Sequence, residues 1–445
     1  MSSAGSVKPA RTLLLSFSLT ILVGALLLYL PFSATRPLSF TEALFTATSA
    51  VTVTGLTVID PYRELTPFGK LVLLLLIQIG GLGYMTLSTF FLVVLRRRIG
   101  LKERFILAEA LDYPGLHGLV RFLKRVVLFV FTVELLGALV LSVYFALKGV
   151  ESPLFNGLFH AVSAFNNAGF STLPEGLLPF RGDPFINLVI ALLIVLGGIG
   201  FFVVNDVYLY FTGRVRRLSV HTQLAVGFSA FLIVLGAAGL LFTEWGNEKG
   251  LWGLPWDERL LAAFFTSVSA RTAGFATVEV ASLSESSQFL LTLLMFIGAS
   301  PGGTGGGIKT TTFLVVLLAI YSFVRGREQT VVLHRSIPES QIKRALVVLT
   351  AGAFFVTFVN LLLDKLENKD FLYTFFEVVS AFATVGLSVG NGEGLSYCAE
   401  FSLPSQLLIM ITMLAGRVGI LSFVLALAGK SSPQRVRYPE ARILL

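Results

Sequence analysis

Long apolar runs and short ones alternate along this chain. Eight runs, approximately 12–30, 68–95, 122–147, 185–212, 222–242, 287–323, 345–364 and 403–429, reach the roughly 20 apolar residues that let a helix cross a bilayer core. Within each successive pair of runs lies a shorter apolar stretch of about a dozen residues ending in Thr, Ala, Asn and Gly, too short to span. These four stretches read as re-entrant loops. Ala10 to Leu30 is long for the apolar part of a signal peptide, and Pro31 follows without a small-residue cleavage site, so the first run is expected to remain as a helix.

The short stretches are copies of one another. Residues 45–55, 159–169, 264–274 and 376–386 each begin with Phe and end with Gly, and the glycines recur every 105 to 114 positions. Serine stands six residues before the glycine in three copies (Ser49, Ser163, Ser380), whereas Ser269 of the third is displaced by one. The second long run of each pair carries its own mark: Gly80-Gly81-Leu82-Gly83, Gly197-Gly198-Ile199-Gly200 and Gly416-Arg417-Val418-Gly419, with Gly298 to Lys309 at the same place in the third pair. Pro301 and the run Gly302-Gly303-Thr304-Gly305-Gly306-Gly307 cannot hold a helix there, because each glycine costs about 1 kcal/mol and proline cuts the preceding turn. Three glycine-notched helices and one broken helix are therefore expected around a common axis. The fold class predicted is an all-α polytopic membrane protein of four tandem helix–pore loop–helix repeats, with eight membrane-spanning helices and four re-entrant pore helices around a central pore. Its repeats run 1–98, 99–217, 218–335 (with the broken second helix and a loop at 300–312) and 336–445, the last carrying a tail.

Composition agrees with a lipid solvent. The chain is 55% hydrophobic and 13% charged, against roughly a quarter charged in an average soluble domain. The net charge of +8 could point to nucleic acid, but the basic residues form short clusters between apolar runs rather than one polar face, so nucleic acid is excluded as a partner. Nearly all of them, from Lys8 and Arg11 through Arg96–Arg98, Arg214–Arg217, Arg325 and Arg327 to Lys430 and Arg442, sort to one side of the membrane. By the positive-inside rule that side is the cytoplasm, with both termini there, where a basic face suits anionic lipid headgroups or a separate subunit. The opposite side, with Glu42, Asp60, Glu64, Glu175, Asp183 and Glu258, carries about twice as many acids as bases, a mild attractant for cations.

Five ionisable residues remain at membrane depth, Arg271, Lys309, Arg417, Glu134 and Asp206. Charge in hydrocarbon is costly, so each is a functional candidate. Glu134 and Asp206 read as interhelical hydrogen-bond partners rather than ion ligands, and His160, alone, as structural. Arg417 takes the slot that Gly81 and Gly198 fill, and by that register it faces the axis; there it raises the barrier below the loops or tethers the Gly-rich segment. Catalysis is not expected: one cysteine (Cys398) and four scattered histidines supply no metal cluster, no Ser–His pair and no paired aspartates. The Gly-rich segment nearly reads GxxxxGK[ST], but Ile308 separates Gly307 from Lys309 and no soluble strand precedes it, so this chain is not expected to bind nucleotide. A secondary transporter with two inverted halves is the competing class, against which stand four direct repeats of one polarity.

Re-entrant backbone is tolerated at membrane depth only where it lines protein or a water-filled cavity. A ring of carbonyls can replace the hydration shell of an alkali cation, and the Phe-led helices would aim their negative C-terminal ends at it. Thr384-Val385-Gly386-Leu387 looks like a single-glycine relative of the potassium-channel filter. Ser269 to Phe275 and Gly303 to Thr312 resemble the Trk/Ktr/HKT superfamily of potassium transporters, most closely the membrane subunits of bacterial Ktr systems, over about residues 12–430. The resemblance implies potassium uptake across the bacterial cytoplasmic membrane through a four-part selectivity filter. Its parts would be Val53, Thr54 and Gly55; Asn167, Ala168 and Gly169; Thr272, Ala273 and Gly274; and Thr384, Val385 and Gly386. Relatives with serine at the first filter glycine tend to admit sodium, so Gly55 favours potassium. It further implies an intramembrane gating loop at Gly302–Gly307 with Lys309, a homodimer, and control by a cytosolic nucleotide-binding ring; sodium as an activator stays open. Arg271 departs from what a cation filter needs, and is expected behind the filter, bonded to pore-helix carbonyls or to a carboxylate such as Glu377.

Overall fold

The computed structural model describes residues 3–83, 100 and 118–427. The basic residues Arg96, Arg97, Arg98, Lys102 and Arg104 and those from Lys430 onward lie outside the described residues.

Each quarter of the chain opens with a long outer helix: α1 (Ser3–Tyr29), α5 (Leu119–Leu147), α9 (Val220–Thr243) and α13 (Glu339–Glu367). These four are long and apolar enough to cross a membrane as single helices. A short pore helix follows each: α2 (Phe40–Val51), α6 (Pro153–Phe165), α10 (Trp256–Ser269) and α14 (Phe371–Ala383). Their starts are written in the sequence. Ser39 and Glu42 close a capping box at α2, and the Asp370 carboxylate accepts from the Tyr373 amide at α14.

The inner helices depart from the expectation of three notched helices and one broken one. After the single turn α3 (Pro61–Glu64), α4 (Pro67–Leu82) stops at Gly83, and its continuation lies outside the described residues. In the second quarter α7 (Pro184–Gly198) and α8 (Phe201–Phe211) meet at 97°, and in the fourth α15 (Leu403–Val418) and α16 (Ile420–Leu427) meet at 109°. In the third, α11 (Glu285–Phe296) and α12 (Thr310–Val324) are separated by the Gly-rich segment. What reads as a notch is thus a break wherever the descending half is described. The physical reason is the last glycine of each motif: Gly83, Gly200 and Gly419 sit at φ 77, 100 and 88°, a region no helix includes and few side chains adopt.

Packing is cyclic. Each outer helix packs on its own pore helix, α1 on α2, α5 on α6, α9 on α10 and α13 on α14. Each inner helix also reaches the next pore helix round the ring: α4 to α6, α7 to α10, α11 to α14, and α15 back to α2. That last contact closes the chain's end on its beginning. The first glycine of each motif makes the approach possible. A methyl group on Gly80 would lie 2.2 Å from the Val51 carbonyl oxygen, one on Gly197 1.7 Å from that of Phe165, and one on Gly416 1.7 Å from that of Phe382. In all three the inner helix lies against a carbonyl in the last turn of its own pore helix, a distance only glycine permits.

Candidate functional site

The backbone after each pore helix repeats one conformation. Val53, Asn167, Thr272 and Thr384, all two residues before the glycine, have φ of 51, 56, 84 and 51°, and the glycines themselves 94, 69, 77 and 90°. Four non-glycine residues in the left-handed region, each at the same register, mark backbone held by its surroundings at a functional site.

Hydrogen bonds to the pore helix do the holding. Thr54, Ala168 and Val385 donate their amides to the carbonyls of Ser49, Ser163 and Ser380 at 2.8, 2.8 and 2.9 Å. The Ser49 and Ser380 hydroxyls accept the amides of Gly55 and Gly386, both at 3.0 Å. The Ser163 hydroxyl instead donates to the Phe170 carbonyl at 2.8 Å. Displaced Ser269 does the same to Phe275 at 2.5 Å, while its carbonyl accepts from Ala273. A one-residue shift in sequence is absorbed by a shorter link, and the hydroxyl still reaches the carbonyl beyond the glycine.

The four segments converge. A methyl group on Gly55 would fall 2.5 Å from the Ala168 carbonyl oxygen; on Gly169, 2.8 Å from that of Ala273; on Gly274, 2.3 Å from that of Val385; and on Gly386, 2.0 Å from that of Thr54. In the same order each methyl would stand 3.0 or 3.1 Å from the next glycine's Cα. The glycines therefore form a closed ring in chain order, each beside the preceding residue's carbonyl from the neighbouring quarter. Such a ring presents oxygens of four separate segments to one small volume, the arrangement that can exchange with a cation's water shell.

The Gly-rich segment lies under this ring. Its ends are pinched together, Gly298 donating to the Ile308 carbonyl at 2.8 Å. The Ser300 and Thr304 amides donate to the carbonyls of Gly198 and Gly197, at 3.0 and 3.1 Å, and the Gly302 carbonyl accepts from Phe201 at 3.0 Å, so the segment fills the break between α7 and α8. Above it, Gly306 donates its amide to the Thr384 hydroxyl at 2.8 Å, and Gly305 lies against Thr272 so closely that a methyl group would sit 2.1 Å from the hydroxyl oxygen. Turned to suit all its neighbours, the Asn167 side chain accepts from Thr272 at 3.0 Å and donates to Ala164 and Ile194. Gly303, Gly305 and Gly306 are thus required by contact, and Gly302 and Gly307 by φ of 68 and 72°. Lys309 folds its ammonium back onto the Gly305 carbonyl at 2.7 Å.

Arg417 reaches the same segment from α15. Its Nη1 donates to the Thr304 carbonyl, and its Nη2 to those of Gly80 and Gly81 at the end of α4. One planar fork thereby joins three quarters of the chain. Arg271 is buried behind the ring, donating to the Ser229 carbonyl of α9 at 3.0 Å and to Gly298 at 3.4 Å. The expected pairing with Glu377 or with pore-helix carbonyls does not occur. Glu377 is taken up by the Ser388 hydroxyl and the Cys398 amide, at 2.7 and 3.0 Å, because Ser388 follows Gly386 closely and accepts from the Tyr397 amide, which draws the turn Tyr397–Glu400 to the same place. Arg271 is a strap between outer helix and break, and Arg271→Leu should lower stability by about 2 kcal/mol, the weight of hydrogen bonds from a charged donor, read as a lower unfolding temperature in detergent. An unchanged temperature would show that the strap carries no load.

Glu134 accepts from Asn166 at 2.8 Å; Asp206 accepts from the Ser219 amide and the Thr222 hydroxyl, at 2.8 and 2.6 Å. Both join elements, as expected. His160 is held by the Asn156 carbonyl and the Ser171 hydroxyl, both at 2.8 Å. Sequence reasoning missed Asn166 and Val51, whose only signal is their fixed distance from the aligned glycines.

Residues 11–437 match the family model described as TrkH, cation transport protein. The chain is 41% identical over 436 residues to "Ktr system potassium uptake protein B" of Bacillus subtilis, covering 98% of this chain and 96% of that protein. It is 36% identical to the protein of the same name from Vibrio alginolyticus, over 98% of this chain and 94% of the other. With the "Potassium/sodium uptake protein NtpJ" of Enterococcus hirae it shares 34% identity, over 99% and 97%. Among solved structures, the potassium transporter TrkH from Vibrio parahaemolyticus has the same fold, with a TM-score of 0.74 at 22% identity over 96% of this chain and 85% of that one.

Proposed function

Because this chain belongs to the TrkH family of cation transport proteins, and is therefore a multi-pass membrane transporter rather than an enzyme, we propose that it takes up potassium ions across the cytoplasmic membrane. The names of its relatives support the ion, and the closed ring of four glycines beside the carbonyls of Thr54, Ala168, Ala273 and Val385 carries the mechanism. In this reading Val53–Gly55, Asn167–Gly169, Thr272–Gly274 and Thr384–Gly386 are the four parts of the filter, one in each repeat. A dehydrating potassium ion loses water to the ring's oxygens, which the serine hydroxyls and pore-helix carbonyls hold in place at no cost of rearrangement.

The segment Gly302–Gly307, with Lys309, is the gate. It is held shut by backbone hydrogen bonds and by Arg417, and opens by giving them up, a switch of the order–disorder kind. The cytoplasmic face is the one bearing the basic clusters and both termini. There a homodimer of this chain would meet a cytosolic nucleotide-binding ring; the word "system" in two relatives' names supports a partner subunit. Sodium as an activator is supported by one relative's name alone.

Growth of a potassium-uptake-deficient bacterium in low potassium, together with Rb⁺ flux into liposomes containing the purified protein, tests the proposal. Rescue and flux are expected. Folded protein that gives neither would remove the transport claim.

A further inference from the structure

Glu134 is a carboxyl group on an outer helix, 4% exposed, at a depth where an ionisable side chain needs a reason. It touches neither the ring nor the Gly-rich segment. Its Oε1 accepts from Asn166 Nδ2 at 2.8 Å, and that nitrogen also meets the Val162 carbonyl at 2.9 Å and Gln78 Oε1 at 3.4 Å. Three acceptors around one nitrogen fix which way the Asn166 amide turns. With Nδ2 so held, Oδ1 is driven against α4. A methyl group on Gly81 would lie 1.8 Å from that oxygen.

The other side of the same turn is where Arg417 docks. The carbonyls of Gly80 and Gly81 are its acceptors on α4, and Gly80 is itself wedged against the Val51 carbonyl. The final turn of α4 is therefore clamped between pore helix α2 on one side and Asn166 on another, while its carbonyls present themselves to the guanidinium. This is the last turn of α4, ended by Gly83 at φ 77°, so its final carbonyls have no partners within the helix. Its position depends on what it is packed against.

We propose that Glu134 is a positioning residue for the Arg417 barrier, acting through Asn166 to set the α4 carbonyls that hold the arginine. The inference rests on the function proposed above. Without the Glu134 acceptor Asn166 Nδ2 keeps only the Val162 carbonyl and the longer contact to Gln78, the amide is held less firmly, the α4 turn relaxes, and Arg417 loses the geometry of two of its three acceptors. The carboxylate thus acts on the pore from behind an asparagine and a glycine.

Initial Rb⁺ uptake by liposomes containing the full-length protein tests this with E134L, E134Q, R417A and the E134L/R417A pair. E134L is expected to raise the rate about fivefold, the worth of one net hydrogen bond, while E134Q, which keeps Oε1 as an acceptor, stays within about twofold of wild type. In the pair, E134L adds nothing to R417A, because residues acting through one another are not additive. A rise in the pair equal to the product of the single effects would overturn the proposal, as would E134L uptake equal to wild type. Should E134L fail to fold, N166A breaks the same bond from its other end and is expected to give the same pattern. Absence of flux in wild-type vesicles takes down the transport reading and this one with it, whereas wild-type flux with independent effects sinks the positioning role alone.

Discussion

Gly386→Ala should cost the protein its preference for potassium over sodium by at least about tenfold, the equivalent of 1.4 kcal/mol. Two effects add at this position. The φ of 90° is strained for any residue with a Cβ, costing about 1–2 kcal/mol. The new methyl group would also stand 2.0 Å from the Thr54 carbonyl oxygen, an overlap that only backbone movement relieves. Since that oxygen belongs to the neighbouring quarter, the strain does not stay local: it displaces one of the groups proposed to take the place of water. Rb⁺ uptake with Na⁺ as competitor reads the result, and unchanged discrimination in folded protein would refute the ring as the selective element. Gly55→Ala, Gly169→Ala and Gly274→Ala meet the next carbonyl at 2.5, 2.8 and 2.3 Å, so Gly169, with the most room, should be the mildest of the four.

Arg417→Ala should raise the uptake rate. At an effective dielectric of 20, two unit charges about 8 Å apart repel by about 2 kcal/mol, so removal of a positive charge at that order of separation from a passing cation is worth about thirtyfold. The same change also frees the Thr304 carbonyl and with it the segment under the ring. Arg417→Lys separates the two contributions. It keeps the charge but cannot bridge Thr304 with Gly80 and Gly81 as a planar fork does, so its rate should fall between wild type and Arg417→Ala. A rate for Arg417→Ala that is unchanged or lower, at normal expression, would mean that the arginine is a helix-pairing group and not a barrier.

The sequence by itself determined a good deal. Runs of about 20 apolar residues have no stable place but a membrane, and four stretches ending in a shared glycine have no use there unless their backbones face one cavity. Those two facts were enough for the fold class and for the four aligned glycines whose segments converge, because each is a property of one segment or of segments copied from one another. The Gly-rich break was legible for the same reason: a proline and five glycines in six of the residues from 301 to 307 cannot be helix in any surroundings.

Tertiary structure decided what depends on neighbours distant in the chain. Whether Gly83, Gly200 and Gly419 notch a helix or break it turns on φ, which the glycine permits but does not choose; the segment filling the gap between α7 and α8 supplies the hydrogen bonds that make that break tolerable. Arg271 chose Ser229 and Gly298 rather than Glu377, since a buried guanidinium takes whichever acceptors the packing leaves in reach, and Ser388 and Cys398 had already satisfied the carboxylate. The first glycine of each motif looks in sequence like one more small residue in a flexible stretch, yet its role is to let two helices touch at a carbonyl. Composition and register can say which residues a segment offers; only the closing of the fourth quarter upon the first, α15 against α2, could say what each of them meets.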